Sequence, residues 1–425
     1  MLHCHLSPGV RIDRIAAITG GAIIMHRLSA SLNRLVLCLA IAAVPLMPTS
    51  THGQNPETAI LVRNAKSLPV DKIPGQRIRL GRGDDYKPSL LLLPNGELLL
   101  CMFSGRRLDN GKIAEQTVLY RSADGGMTWS ERFEPDIPGR EPSLSLTRRG
   151  TVLITTHLLS SDVRNKDGYT HSYVHRSQDQ GRTWTSTRVE PKAFRPRTIG
   201  LTTRNVLQLA DGTLLLGVSE HVIKNCKSSV WRSHDDGKTW RERYDATFES
   251  VPRDYKYTLF GEAHLWQARS GRLYAILRVG AGNSWPLEGT RDPGNNDQSE
   301  RMIVYTSRDM GRRWTKVNDL GGYGQMYMSI LDLGKDRLLL TYTQRAIEYP
   351  LGVRAVLGRQ GKDGFHFNMK HDVILLDTKT PRGVSSGGGF GPTIRLDDGT
   401  LVTAYTFRDA SKRKHAEIVR WRLPR

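Results

Sequence analysis

Apolar residues in this chain come as paired short runs joined by a polar turn, and the unit recurs six times. Pro88-Ser-Leu-Leu-Leu-Leu-Pro-Asn-Gly96-Glu-Leu-Leu-Leu is the first. The same register returns from Pro142 to Ile154 around Gly150, and from Arg204 to Leu216 around Gly212. It returns again from Ala263 to Leu277 around Gly271, from Met328 to Tyr342 around Asp336, and from Gly391 to Tyr405 around Gly399. Each copy reads as strand, tight turn, strand. Runs apolar at successive rather than alternate positions suit strands buried on both faces. Almost no sustained helical period interrupts them. The pattern predicts an all-β chain folded as a six-bladed β-propeller. A strand near Ile60–Val62 or Arg77–Leu80 is expected to close the ring against the last run, Ile418–Trp421.

A second pattern follows four of the hairpins. Ser122-Ala-Asp124-Gly-Gly126-Met-Thr-Trp129 shares the form S-x-D-x-G-x-[TR]-W with Ser177 to Trp184, Ser233 to Trp240 and Ser307 to Trp314. A motif repeated at blade length marks a repeat architecture. Asp124, Asp179, Asp235 and Asp309 are placed to accept backbone N–H groups, and the Gly supplies a turn that other residues resist. The Trp buries a large ring and pins the turn. Turn residues must recur once per repeat and catalytic residues seldom do, so these four Asp read as structural. They are expected between the third and fourth strands of their blades. The motif resembles the Asp-box (BNR repeat) of sialidase-type β-propellers. A fifth copy is eroded to Gly358–Phe367.

The remaining features bound the context. Basic Arg27 and Arg34, an apolar run from Leu35 to Leu46 and small residues near Gly53 follow the order of a secretory signal peptide. The run is short for a membrane span, although an uncleaved anchor is the alternative. Residues 1–53 are therefore expected to be a leader, with the true start near Met25, and residues 54–425 the propeller. Of the chain's net charge of +20, the leader holds +3, which leaves +17 for the rest. That balance favours acidic partners over neutral ones. No basic helix or stacking motif points to nucleic acid, and no metal-ligand cluster, cofactor loop or Ser-His-Asp signature is visible. Cys101 and Cys226 fall in different repeats. Export permits a disulfide, but two buried free thiols are favoured. The expected localisation is secreted or periplasmic, with the protein acting as a monomer.

The common register yields one further inference. The position nine residues before each turn is the same place in every hairpin, where the inner strand begins near the central funnel. It is occupied by Lys87, Glu141, Thr203, Glu262, Tyr327 and Phe390. One mouth of the channel is expected to carry these side chains, and ligand sites lie in such concavities.

Gly261 to Arg278 resembles the fourth blade of exo-sialidases (neuraminidases). That resemblance implies that Glu262 activates a Tyr nucleophile and that Arg278 is one of three arginines gripping the substrate carboxylate. A planar guanidinium fork suits a carboxylate, and a phenol needs a base to become a nucleophile. Two departures accompany it. Phe390, in Gly389-Phe390-Gly391-Pro392, stands where the family carries its Tyr, and has no oxygen to attack with. Tyr86 takes the register of the first triad arginine, with Lys87 beside it, and a Lys lacks the bidentate fork. The third arginine is Arg354 or Arg345. Asp109 is the nearest counterpart of the family's acid, with Glu115 second. Tyr327 is a displaced nucleophile or an aromatic wall, and Arg140 with Glu141 opens the second hairpin on the same ring. The resemblance implies a secreted propeller that acts on or binds acidic glycans through a divergent site. The alternative is a non-catalytic glycan-binding or protein-interaction propeller.

Overall fold

The computed structural model describes residues 54–55, 59–189, 199–221, 227–240, 242–244, 259–280, 296–382, 384 and 389–424. The chain divides into Met1–Thr49 and Ser50–Arg425, and every described residue lies in the second unit. The leader and Cys226 fall outside the described residues. Cys101 is a buried free thiol.

The described residues are almost entirely antiparallel strand, and the fold is a β-propeller. Blade I is built from Arg140–Leu146, Val152–Leu158, His171–Ser177 and Thr185–Val189. Blade II comprises Ile199–Gln208, Leu214–His221, Lys227–Ser233 and Glu242–Tyr244. Blade III comprises Leu259–Gln267, Leu273–Gly280, Arg301–Ser307 and Thr315–Leu320. Blade IV comprises Gln325–Gly334, Arg337–Gln344, Gly352–Gly361 and Val373–Leu375, extended by Ile60–Arg63. Blade V comprises Thr393–Arg395, Leu401–Arg408 and Lys414–Trp421, and takes its fourth strand, Gly75–Leu80, from the N-terminal side.

The expectation of six blades is corrected here: five blades are detected. The first hairpin belongs to a sheet of only three strands, Tyr86–Leu92, Leu98–Arg107 and Ile113–Ser122. Where a fourth strand belongs, Phe133 and Pro138 make only isolated bridges to Leu119 and Gln116. Pro135 and Pro138 supply no N–H to a ladder, so a continuous strand is blocked there. Both proposed N-terminal strands are used, one on blade IV and one on blade V.

The core lies between neighbouring sheets. Leu98, Leu100 and Met102 pack against Ile78, Val402 and Ile418 of blade V. On their other side Leu99 and Cys101 meet Leu144, Val152 and Ile154 of blade I. Second strands are buried on both faces, as successive apolar positions require. The hairpin turns explain their Gly. In the first, Gly96 has φ 84° and its N–H donates to Leu93 O at 2.9 Å. Blade IV lacks that Gly and uses Lys335 and Asp336, both at positive φ, in a tighter turn.

The four S-x-D-x-G motifs form one turn, and each begins on the last residue of a third strand. In blade II, Ser233 Oγ donates to Asp235 Oδ1 at 2.8 Å and accepts from Gly237 N at 2.9 Å. Thr239 gives Asp235 its amide at 2.9 Å and its hydroxyl at 2.7 Å. Burial opposes ionisation of these aspartates, but the donated hydrogen bonds outweigh it and hold Asp124, Asp179, Asp235 and Asp309 below the usual range. Gly358–Phe367 instead makes a plain hairpin from Gly358–Gly361 and Gly364–Phe367.

Candidate functional site

Each inner strand opens on a non-glycine residue in the left-handed region. These are Lys87 (φ 56°), Glu141 (55°), Arg204 (75°), Glu262 (51°), Tyr327 (58°) and Phe390 (58°). The ladder slips at this point in the three-stranded sheet and in blades I to IV, so each is a bulge that turns one side chain out of the sheet. Side chains of the neighbouring sheet hold the bulges. Lys87 N donates to Thr406 Oγ1 at 3.0 Å, Glu262 N to Ser219 Oγ at 2.8 Å, and Phe390 N to Thr343 Oγ1 at 3.1 Å. A left-handed non-glycine residue costs of order 1 kcal/mol or more, so six of them mark a constrained ring.

The third ring residue is a correction. Register counting puts Thr203 there, whereas the bulge falls on Arg204. The ladder skips from Thr202 to Val206 in that strand, one residue more than in its neighbours. Nothing in Thr202-Thr203-Arg204-Asn205 announces this slip.

Four cations gather over two stacked rings. Tyr327 and Phe390 lie 4.3 Å apart at 26°. The Arg204 guanidinium sits 4.3 Å from each centroid. Arg278 is 4.7 Å and Arg345 5.2 Å from the Tyr327 ring, and Lys87 is 5.1 Å from Phe390. The Tyr327 hydroxyl accepts from Arg278 Nη1 and, at 2.8 Å, from Arg345 Nη1. Glu262 accepts from Arg278 Nη1 at 3.0 Å and from Arg204 Nη2 at 3.3 Å. Behind Arg278, Glu300 receives its Nε and Nη2 together, while Asp297 pairs with Arg345 at 3.1 Å. Sequence reasoning misses Glu300 and Asp297, because they precede a third strand rather than an inner one.

A second corner of the ring is built around Tyr86. Lys87 Nζ pairs with Glu141, and Arg140 donates to the Tyr86 hydroxyl at 3.2 Å. Glu115 meets Arg140 at 3.4 Å. The Tyr86 ring packs tilted at 42° against Phe103, centroids 4.1 Å apart, and Lys414 Nζ lies 3.5 Å from its centroid.

Two expected residues lie elsewhere. Arg354 is buried among Glu348 Oε2 and the carbonyls of Glu348 and Pro350, each at 3.0 Å. Of the two candidates for the third arginine, only Arg345 touches the ring residues. Asp109 is exposed at the tip of the hairpin joining Leu98–Arg107 to Ile113–Ser122, because Asn110-Gly111 turns the chain there. Glu115, on the returning strand, is buried.

The charges nearly cancel. Lys87, Arg140, Arg204, Arg278 and Arg345 are matched by Glu115, Glu141, Glu262, Asp297 and Glu300. Compensation is uneven, however. The anions around Arg278 outweigh its burial and raise its pKa well above the ordinary value. Burial wins at Arg204 and lowers it, with Glu262 only partly restoring it, and its buried Nε has no hydrogen-bond partner. Burial takes Lys87 down to about 8, against the pull of Glu141. Glu141 itself is held far below the carboxylate range, burial being outweighed by Lys87. Burial raises the Tyr327 phenol and lifts Tyr86 to about 12.

A cavity of about 150 Å³ is lined by the ring residues Glu141, Arg204, Tyr327 and Phe390 together with Ser89, Asn205 and His264. Asn205 and His264 are tied there to backbone: Asn205 Nδ2 donates to Leu265 O at 2.8 Å, and Ile330 N donates to His264 Nε2 at 3.3 Å. Among the described residues, no group of three or more His, Cys, Asp or Glu is placed to hold a metal ion.

No family model matches the chain. A xyloglucanase from Paenibacillus sp. is 24% identical over 248 residues, 55% of this chain. The chain spans about a fifth of that relative's length (21%). Among solved structures, a protein of unknown function from Dyadobacter fermentans superposes with a TM-score of 0.60 at 19% identity, covering 87% of this chain and 99% of its own. The leech intramolecular trans-sialidase complexed with 2,7-anhydro-Neu5Ac gives 0.54 at 13%, covering 78% and 68%. An α-L-arabinanase from Penicillium chrysogenum complexed with arabinobiose gives 0.53 at 13%, covering 86% and 98%. At these identities the likeness is one of fold: this chain has the sialidase-type propeller fold.

Proposed function

We propose that this protein is an extracytoplasmic propeller that takes an acidic sugar at the funnel mouth, through a site in which the sialidase tyrosine chemistry does not run. The observation that carries the reading is the ring itself: Arg204, Arg278, Arg345 and Lys87 converge over Tyr327 and Phe390 beside Glu262. Arg204 is the least compensated of these cations and Lys87 the nearest further one. The sugar carboxylate is assigned to that pair, with Arg278 and Arg345 holding Tyr327 as a platform. Sialidase-type and other glycosidase propellers among the fold neighbours support a glycan as ligand.

The nucleophile is the weak point. Phe390 has no hydroxyl. Tyr327 has one, but two guanidiniums occupy it and burial keeps it protonated. In this reading Glu262 is the base of a lost pair. Glu115, whose burial raises its pKa, fits an acid role better than exposed Asp109. Export rests on the leader, taken as residues 1–53 ahead of a propeller of residues 54–425. Among the described residues no helix is long and apolar enough to cross a membrane.

A second reading, a non-catalytic glycan-binding propeller, is favoured by Phe390 and by the engaged, protonated Tyr327 hydroxyl. Turnover of a fluorogenic sialoside tests the lost tyrosine chemistry when measured beside Phe390→Tyr and Glu262→Gln. No turnover by the unaltered protein, with gain in Phe390→Tyr, supports the lost-nucleophile reading. Robust turnover by the unaltered protein that Glu262→Gln abolishes would mean another group attacks.

A further inference from the structure

Two hairpins flank the Tyr86 corner of the funnel. One joins Leu98–Arg107 to Ile113–Ser122 and exposes Arg106, Arg107 and Lys112. The other joins Leu401–Arg408 to Lys414–Trp421; Lys412 and Arg413 are exposed, and Arg408 and Lys414 half-buried. They converge on one residue. Lys414 Nζ lies 3.5 Å from the Tyr86 ring centroid. Glu115, on the returning strand of the first hairpin, pairs with Arg140, which bonds the Tyr86 hydroxyl.

The balance here differs from that of the funnel. Seven cations between Arg106 and Lys112 and between Arg408 and Lys414 stand against two carboxylates in those segments, Asp109 and Asp409, with Asp84 and Glu115 acting on Lys414 from beside them. Asp409 is already engaged by His415 at 2.8 Å and by the Arg413 amide at 3.0 Å. None of the seven cations forms an ion pair with a described residue. Arg408 Nε is buried without a hydrogen-bond partner. Burial, then repulsion from Arg408, lowers the Lys414 pKa. Like charges crowded this way raise the local potential and attract a polyanion, whose binding releases counterions. Between Arg106 and Lys112, and between Arg408 and Lys414, there is no Phe, Tyr or Trp on which a nucleic-acid base would stack.

We infer that the two hairpins form a docking rim for an extended acidic polysaccharide, one bearing a carboxylate on successive sugars, whose end enters the funnel while the rest crosses the rim. This rests on reading the funnel as a glycan site. It makes the substrate class a polymer rather than a single terminal sugar. The charge-balanced funnel recognises one residue of the chain, and the rim supplies affinity that grows with length.

Titration calorimetry with digalacturonate and dodecagalacturonate, at low and high salt, tests it. The protein is expected to bind the dodecamer about tenfold or more tighter than the dimer, because several screened surface contacts add up. High salt is expected to erase that gain. The variant carrying Arg106→Glu, Arg107→Glu, Lys412→Glu and Arg413→Glu is expected to bind both lengths equally, with an unchanged melting temperature. Equal affinity for both lengths in the unaltered protein overturns the inference, as does a charge-reversed variant that keeps the gain. Dimer binding reports on the funnel separately: its absence alone counts against the funnel reading, while a length gain lost on charge reversal still supports the rim. Equally tight binding of single-stranded oligothymidylate of the same charge would overturn the assignment to a glycan.

Discussion

At the scale of residues, burial sets the titration of the histidines. Three histidines sit inside the blades, and burial takes His157 down to about 4 and His175 and His264 down to about 3. In the unfolded chain each titrates near 6.5. Between about pH 4 and pH 6.5 the unfolded state therefore binds more protons, so the stability these groups contribute is present above that window and lost on acidification. Asp377 works the other way. Burial lifts its carboxyl to about 7, so its contribution is present at low pH and fades as pH rises through 7. Glu115 and Glu300, also raised by burial, act with Asp377. Asp124, Asp179, Asp235, Asp309 and Asp372, held low against burial by donated hydrogen bonds, act with the three histidines and tip the balance. Each proton of difference is worth about 1.4 kcal/mol per pH unit. Thermal melts are expected to show a melting temperature that falls steadily from pH 6.5 to pH 4. A profile that is flat or rises on acidification would contradict this.

At the scale of elements, the Asp-box turns carry the clearest prediction. Asp235 accepts one hydroxyl and one amide of Thr239 and the Ser233 hydroxyl. Asp235→Ala orphans these donors and is expected to cost about 1–2 kcal/mol, the lower end applying because the turn is partly solvated. A denaturant midpoint that does not move would show the motif to be dispensable. These turns and the hairpins were legible in the sequence because local chemistry sets them: a Gly at positive φ, a carboxylate over free amides, strands apolar on both faces. What escaped was set by tertiary context. The extra residue that puts Arg204 rather than Thr203 on the ring leaves no trace in a hydrophobic pattern, since Thr-Thr-Arg-Asn is polar throughout. The missing strand before Pro138 was visible only as two prolines. Arg345 and Arg354 were indistinguishable until strand pairing turned one toward Tyr327 and the other toward Glu348.

At the scale of the whole molecule, closure depends on the N-terminal side of the chain. Gly75–Leu80 pairs with Lys414–Trp421, and Ile78 and Leu80 enter the core shared with Leu98 and Val402. Removing residues through Leu80 would expose that strand edge and its apolar face, so the truncated protein is expected to aggregate on size exclusion. A monodisperse truncated protein with the original melting temperature would refute this account of closure. The net charge of +20 draws anions from a distance, yet the funnel is nearly neutral, which leaves selectivity to the few cations that lack full compensation. Arg204 is the foremost of these. The most direct test is calorimetric binding of an acidic monosaccharide and its carboxamide to the unaltered protein and to Arg204→Met. The account predicts that the acid binds, that the carboxamide does not, and that Arg204→Met weakens the acid about tenfold or more while still folding. Equal binding of acid and carboxamide, or an Arg204→Met variant that binds the acid as well as the unaltered protein, would contradict it.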